Sequence, residues 1–190
     1  MAAGLLLGFG IGHVRGFVET GRPIGLGLAA QELITAALFM IRRPPRRTTT
    51  SWKAWGVAIV GGWGVLAVRP GGANLGWNDS VGLAVQGLGA ALTVIALLTL
   101  GRAFGIVAAD RGIVDGGPYR LIRHPVYAAG FVGATGYLIQ SLTPWNVAVV
   151  GVTWCFQVLR MLAEERLLAA SPAYAAYVRR VRWRVLPGVF

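Results

Sequence analysis

Long apolar runs separated by short polar segments dominate this chain. A helix crosses the hydrocarbon core of a bilayer in ~20 residues, and sometimes in as few as ~17. Six runs approach or exceed this length, and they cover residues 3–19, 23–41, 54–69, 80–101, 126–142 and 144–163. The first run is the weakest, because His13 and Arg15 interrupt it. The pattern predicts an all-α fold, a polytopic transmembrane helix bundle with about five or six spans.

The composition agrees with a membrane domain. The chain has 190 residues, of which 55% are hydrophobic and only 13% are charged, and its mean hydropathy is +0.61. A soluble domain is typically ~25% charged, so this chain has too few polar residues to cover a water-facing surface. The length fits one domain. We therefore predict a single membrane domain over residues 1–190, with N-terminal spans in 1–99 and the polar motifs in 100–190.

The basic residues predict the orientation of the spans. Five lie between spans two and three, four between spans four and five, and six at or after the end of span six, and only Arg15, Arg22 and Arg69 remain. With six spans the three rich segments share one face, which the positive-inside rule makes cytoplasmic. Both termini are then cytoplasmic. We expect the net charge of +11 to reflect this face and contacts with membrane lipids rather than binding to nucleic acid.

Few residues suit a metal or disulfide. The chain has one cysteine, Cys155, and its two histidines, His13 and His124, are far apart in sequence. We therefore expect neither a metal site nor an internal disulfide. Gln31 and Glu32 are polar residues within span two. An intramembrane acid is a candidate functional residue, and a structural partner for a neighbouring helix is an equal alternative here.

The richest chemistry lies in the cytoplasmic loop from Leu100 to Tyr127. Pro118 and Pro125 restrict its backbone, and the neighbouring glycines permit close approach of a ligand. Within nine residues the loop carries a guanidinium, an imidazole and two phenols, from Arg123, His124, Tyr119 and Tyr127. Such a set can hold a small molecule that carries carboxylate, amine and ring groups.

A second cluster, Arg160, Glu164 and Glu165, lies near the end of span six. Arg160 and Glu164 are four residues apart and share one helix face, so an ordinary ion pair at a helix end is one interpretation. Only a tight turn at 141–144 joins spans five and six. These spans are therefore antiparallel, which places the cluster level with 124–127 and predicts a site where the two meet.

The segment after Glu165 is basic and aromatic, and it ends near Pro187. Its residues include Tyr174, Tyr177, Arg179, Arg180, Arg182, Trp183 and Arg184. This composition predicts an interfacial helix, with attraction to anionic lipid worth ~1 kcal/mol per basic residue. A lid over the site is the alternative role.

Taken in order, these motifs resemble those of the isoprenylcysteine carboxyl methyltransferase-like membrane methyltransferases, whose relatives are the phospholipid N-methyltransferases. The resemblance covers roughly the C-terminal half. Its motifs are Leu100-Gly101-Arg102, Gly117-Pro118-Tyr119, Arg123-His124-Pro125-x-Tyr127, Arg160-x-x-x-Glu164-Glu165, Tyr174-x-x-Tyr177 and Pro187. The segment Arg42-Arg43-Pro44-Pro45 is also similar to a loop in bacterial members, which implies a bacterial inner membrane.

The resemblance implies S-adenosylmethionine as the methyl donor, bound at the cytoplasmic ends of the last spans. The residues that it implies for the donor are Arg111, Gly112, Ile113, Val114, Tyr119, His124, Pro125, Val126, Tyr127, Glu164 and Glu165. The residues that it implies for catalysis are Arg123, His124, Arg160 and Glu164. Arg160 is expected to face the acceptor, and Arg123 to organise the donor pocket or the acceptor carboxylate.

Three functions remain open from the sequence. The first is methyl transfer to a lipophilic small molecule, a lipid or an isoprenoid carboxylate that enters from the bilayer. The second is an NADPH-dependent, sterol-reductase-like membrane enzyme, because that group shares a His-Pro-x-Tyr element. The third is a non-catalytic lipid-binding protein. The pair Glu164-Glu165 after Arg160 favours the methyltransferase over the reductase.

Overall fold

The computed structural model describes residues 2–21, 24–49, 51–69, 71–73, 75–105 and 109–190. These residues form a mostly helical structure with one two-residue strand pair. The helices are α1 (Ala2–Thr20), α2 (Ile24–Ile41), α3 (Trp52–Trp63), α4 (Trp77–Leu100), α5 (Pro125–Gln140), α6 (Pro144–Leu168) and α7 (Pro172–Arg180). The strands are β1 (Arg47–Thr48) and β2 (Ala109–Asp110).

Each of the six apolar runs contains a helix, and the helices confirm the predicted all-α class. The third differs most from its predicted span, because α3 ends at Trp63 and continues as a 3-10 turn, Gly64–Ala67. Twelve α-helical residues rise ~18 Å, which is shorter than a ~30 Å hydrocarbon core. In the described part of the chain, two helical segments are long and apolar enough to cross a bilayer, Trp77–Ala103 and Pro144–Leu168. The number of spans therefore stays a prediction.

Glycines bring α4 and α5 into close contact. A Cβ atom at Gly89 would lie 2.5 Å from the backbone nitrogen of Gly133, and one at Gly136 would lie 2.5 Å from that of Gln86. Side chains at these positions would force the helices apart. Such packing by small residues is common between helices in membranes, because dispersion contacts replace the hydrophobic effect there. The glycine-rich composition of the spans thus has a packing role at this interface.

The other helices pack in two groups. On one side α1 packs against α2, and α2 packs against α4; on the other side α3 packs against α6. At one end of the second group Asn146 is fully buried. Its amide donates to the carbonyl oxygens of Arg69 and Ser141, both at 2.8 Å, and accepts from the Arg69 backbone at 3.0 Å. These bonds tie the end of the α3 segment to the start of α6.

The outer faces of the helices carry large apolar side chains. Examples are Ile11 on α1, Ile95 on α4 and Leu159 on α6, whose exposed fractions are 61%, 53% and 51%. A water-soluble protein rarely exposes apolar surface this continuously. The faces are suited to lipid, as the prediction of an integral membrane protein requires.

The strand pair joins two basic loops that lie far apart in sequence. Arg47 pairs with Asp110 and Thr48 pairs with Ala109, in antiparallel register. Next to the pair, the Arg43 amide donates to the Arg102 carbonyl at 2.7 Å, and the Arg46 amide donates to the Asp110 carbonyl at 2.7 Å. The segment after α2 is thereby fixed beside Arg102 and beside β2.

The C-terminal segment folds back beside the start of α5. Tyr174 and Tyr177 on α7 are buried with Leu168 and Val181, while Arg179 and Arg180 are exposed. Helix α7 is thus amphipathic, as predicted for an interfacial helix.

Candidate functional site

A cavity of about 260 Å³ lies where the two groups of helices meet the loop residues that precede α5. This volume is near the lower end of the ~300–1,000 Å³ typical of ligand pockets. The segment before α5 contributes Ala109, residues 111–114 and Tyr119. The start of α5 contributes Val126 and Tyr127, and α6 contributes Arg160 and Glu164. The rest of the wall includes mostly apolar residues of α1 and α3 and three polar residues of α2, Gln31, Glu32 and Thr35.

Arg111 forms one buried edge of the cavity. Its side chain donates from Nε to the carbonyl oxygen of Arg43 at 3.1 Å, so the loop after α2 holds it in place. Burial, and then the neighbouring charge of Arg42, lower the pKa of this guanidinium from its ordinary value. A guanidinium stays charged in proteins at neutral pH, and Arg111 therefore supplies a fixed cation at this edge.

The residues after Arg111 present their backbone to the cavity. Residues 111–116 form neither helix nor strand, and the Gly112 amide donates to Oδ1 of Asp110 at 3.0 Å. Gly112 has a φ of +96°, in the region that glycine adopts without strain. The segment 112–114 can therefore line a ligand closely along its main chain.

Two buried phenols link this loop to α7. Tyr177 donates from its hydroxyl to the carbonyl oxygen of Tyr119 at 2.8 Å, and both rings are buried. Burial raises the pKa of Tyr119 above its ordinary value and raises that of Tyr177 to about 12. Both phenols are thus neutral hydrogen-bonding groups at physiological pH.

Glu165 gathers three nitrogen-bearing side chains, two of them arginines, around one carboxylate. Its Oε1 lies 2.7 Å from a terminal nitrogen of Arg123 and 3.1 Å from Nε2 of His124, and its Oε2 accepts from Arg184 at 2.9 Å. The backbone supports the same arrangement, because the amides of Arg123 and His124 donate to the carbonyls of Trp183 and Arg184. Glu165 thereby fixes the 123–124 motif to α6 and to the C-terminal segment.

Glu164 lines the cavity, next to the cluster around Glu165. The Tyr127 hydroxyl donates to its Oε2 at 3.2 Å. The Arg160 guanidinium lies 5.5 Å from the centre of the Tyr127 ring and donates to the Gly105 carbonyl at 3.2 Å. His124 also packs edge-on against Tyr127, with 5.4 Å between ring centres. Acid, cation and phenol are therefore held together on one wall.

The structure brings most of the predicted site residues to this one cavity. Those that line it are Arg111, Gly112, Ile113, Val114, Tyr119, Arg123, His124, Val126, Tyr127, Arg160 and Glu164. Pro125 instead begins α5, and Glu165 joins the cluster just described. The direct contact with the donor that the resemblance implies for Pro125 and Glu165 stays a prediction.

Other lining residues were not predicted as site residues. They include Thr35 on α2, Trp63 on α3 and Gln157 on α6, together with Glu32, whose role the sequence left open. Gln157 lies three residues before Arg160, one turn along the same helix, and this spacing is the signal that would have found it. The residues on α2 and α3 lie within apolar runs of the sequence, and the residues that they contact depend on tertiary packing.

Comparisons with known proteins bear on what this site is. The profile of the Isoprenylcysteine carboxyl methyltransferase (ICMT) family matches residues 81–170. The protein-S-isoprenylcysteine O-methyltransferase of Tribolium castaneum is 25% identical over 170 residues, which are 83% of this chain and 58% of that protein. Enzyme A of the same name from Arabidopsis thaliana is 31% identical over 98 residues, which are 48% of this chain and 50% of that protein.

A solved structure shares the fold. It is that of the eukaryotic intramembrane Ras methyltransferase ICMT, with a TM-score of 0.56 and 21% identity over 98% of this chain and 74% of that one. The fold and cavity define a helical membrane protein with a polar site at one end of its bundle. More particularly, the predicted resemblance to the isoprenylcysteine carboxyl methyltransferase-like membrane methyltransferases is confirmed. The chain spans 50% to 58% of the length of these curated relatives.

Proposed function

We propose that this protein is a membrane-embedded methyltransferase that uses S-adenosylmethionine and methylates a lipophilic acceptor, such as a lipid or an isoprenoid carboxylate. The observation that carries the proposal is the cavity itself. Three segments of the ICMT-like motif set, 111–114, 119–127 and 160–164, converge on it, although up to 53 positions separate their ends in the sequence.

The chemistry of the lining suits the donor. S-adenosylmethionine carries an amine, a carboxylate, ribose hydroxyls and a purine. The cavity offers the Glu164 carboxylate for the amine or hydroxyls, the Arg111 guanidinium for the carboxylate, and the aromatic side chains of Tyr119 and Tyr127 for ring contacts. The main chain of Ile113 and Val114, which is in neither helix nor strand, can accept from and donate to the purine. The residues present therefore fit the donor.

The division of labour between the two glutamates follows from their contacts. We assign Glu164 to the ligand, because its Tyr127 partner also lines the cavity. We assign Glu165 to positioning, because its oxygens are already bonded to Arg123, His124 and Arg184. His124 and Arg123 then act through a rigid motif whose orientation Glu165 sets.

Alignment is the main task of such a site. The donor supplies an activated methyl group, and the acceptor displaces it in line, so the protein must chiefly hold the two partners in register. A carboxylate acceptor is already nucleophilic and needs no base. An amine or phenol acceptor must lose a proton, for which His124 or Glu164 is close at hand. Arg160 lies next to Tyr127 at the inner end of the site and is assigned to the acceptor.

The proposal includes a location. The basic segments are placed in the cytoplasm, with both termini and the site on that side, in a bacterial inner membrane. The apolar acceptor enters from the bilayer, while the water-soluble donor comes from the cytoplasm.

A transfer assay tests the function. Purified protein in detergent is incubated with donor carrying a labelled methyl group and with two acceptors, N-acetyl-S-farnesylcysteine and phosphatidylethanolamine. Labelled lipid in the organic phase with either acceptor supports methyl transfer if the Glu164→Gln variant does not produce it. Which of the two acceptors is labelled shows whether the methylated atom is a carboxylate oxygen or an amine nitrogen. No transfer to a lipophilic acceptor by folded protein that binds NADPH instead would contradict the proposal.

A further inference from the structure

Glu32 is an acid on the α2 side of the cavity. It belongs to α2 and lines the cavity together with Gln31 and Thr35. Its Cβ would lie 3.7 Å from a Cβ built on Gly10, so α1 packs against its stem. Among the residues that the structure describes, no hydrogen bond or ion pair reaches the Glu32 carboxylate.

Gln157 offers a second unsatisfied acceptor on the other wall. It lies on α6, one turn before Arg160, and its side chain lines the same cavity. The amide oxygen of Gln157 is buried, and no group in the described part of the chain donates to it. Buried polar atoms are nearly always hydrogen-bonded in folded proteins, so an orphaned oxygen in a cavity wall points to a missing ligand.

Arg160 does not satisfy either group. Its guanidinium donates to the Gly105 carbonyl and lies over the Tyr127 ring. The wall on the α1 and α3 sides carries Leu6, Ala58, Ile59 and Trp63, and Gln31 and Thr35 of α2 also line the cavity. Partial burial beside apolar groups weakens the hydration of the Glu32 carboxylate, and a bound cation or hydrogen-bond donor compensates for this loss.

We propose that Glu32 and Gln157 form a subsite for an amine on the head group of the acceptor. The site would thus select lipophiles that present an ammonium or amine next to their apolar chain, over otherwise identical molecules whose amine is blocked. This inference rests on the proposed function in treating the bound lipophile as the methyl acceptor. The binding preference that it predicts does not depend on methyl transfer.

Two matched ligands test the subsite. S-farnesylcysteine methyl ester has a free amine, and its N-acetyl derivative has the same chain and ester with the amine blocked. Binding of each to purified protein in uncharged detergent is measured by calorimetry for the wild type, Glu32→Gln and Glu19→Gln. Glu19 is an exposed glutamate of α1 and serves as the matched control.

A hydrogen bond to a charged group is worth roughly tenfold in affinity. We expect the wild type and Glu19→Gln to bind the free amine about tenfold more tightly than the acetylated ligand, and Glu32→Gln to bind both about equally. Gln157→Met should reduce the preference in the same direction. Equal binding of both ligands by the wild type, no binding of either, or a preference that survives in Glu32→Gln would overturn the inference.

The same samples separate this inference from the proposed function. Binding of S-adenosylhomocysteine is measured alongside, because the residues assigned to the donor do not include Glu32. Donor binding without amine preference would reject the subsite and leave the methyltransferase standing. Amine preference without donor binding would support the subsite and reject the proposed methyltransferase.

Discussion

Nε2 of His124 lies 3.1 Å from Oε1 of Glu165, although 41 positions separate the two residues in the sequence. The contact joins the loop before α5 to the end of α6. Arg123 and Arg184 complete the cluster from two further directions. The adjacent carboxylate of Glu164 instead meets Tyr127 in the cavity. Two neighbouring acids therefore serve different purposes, one for the fold and one for the ligand.

Loss of the Glu165 charge should destabilise the protein. The Arg123 and Glu165 side chains are only 8% and 11% exposed, and Glu165→Gln leaves that arginine without its counter-charge. Breaking a buried pair from one side costs about 3 kcal/mol. We expect a clearly lower unfolding midpoint in detergent for Glu165→Gln and little change for Glu164→Gln. Equal midpoints for the two variants would remove the structural role assigned to Glu165.

Arg160 should affect use of the acceptor more than binding of the donor. Replacing it with glutamine removes the cation beside Tyr127, so we expect kcat/KM for the acceptor to fall about tenfold or more while the Kd of S-adenosylhomocysteine changes little. Arg166→Gln, at an exposed position six residues further along α6, is the control. Comparable losses in acceptor use and donor affinity would show that Arg160 does not belong to the acceptor alone.

The α4–α5 interface predicts a contrast between two glycines of one helix. Gly89→Ala places a methyl group against the Gly133 backbone, and overpacking of this kind costs about 1–3 kcal/mol. Gly87→Ala meets nothing within 4 Å and should be neutral or slightly stabilising, by up to ~1 kcal/mol from helix propensity. Thermal unfolding of both variants in the same detergent measures the difference. A Gly89→Ala protein as stable as Gly87→Ala would contradict the close packing.

The orientation of the helices across the membrane can be determined by labelling single cysteines in inside-out and right-side-out vesicles. In a Cys155→Ser background, we expect Thr49→Cys and Ser171→Cys to react from the cytoplasmic face. Ser141→Cys, in the turn between α5 and α6, should react from the opposite face. Labelling of Ser141→Cys and Ser171→Cys from the same side would exclude a crossing by α6.

The sequence predicted the helices and eleven of the residues that line the cavity, because both depend on local information. Apolar run lengths define the helices, and the motif residues lie close together in a few short segments. The Ser141–Pro144 turn was enough to bring 124–127 level with 160–165, and the contact between His124 and Glu165 agrees with it.

Other features depend on packing between distant segments. The β1–β2 pair consists of two residues on each side, and no hydrophobic periodicity marks so short a strand. The early end of α3 at Trp63 interrupts a continuous apolar run, so the sequence predicted a longer span. Glu32 reaches the cavity from α2, which carries none of the motifs. The different tasks of Glu164 and Glu165 likewise become visible only from their partners.

Binding of S-adenosylhomocysteine to purified protein, measured by calorimetry beside NADPH and beside the Glu164→Gln variant, tests the central claim most directly. The account predicts saturable binding of S-adenosylhomocysteine alone, weakened about tenfold in a Glu164→Gln protein that unfolds at the same temperature as the wild type. Saturable binding of NADPH alone would contradict the account and assign the cavity to a reductase. Folded protein that binds neither molecule would contradict it as well and would favour a lipid-binding role.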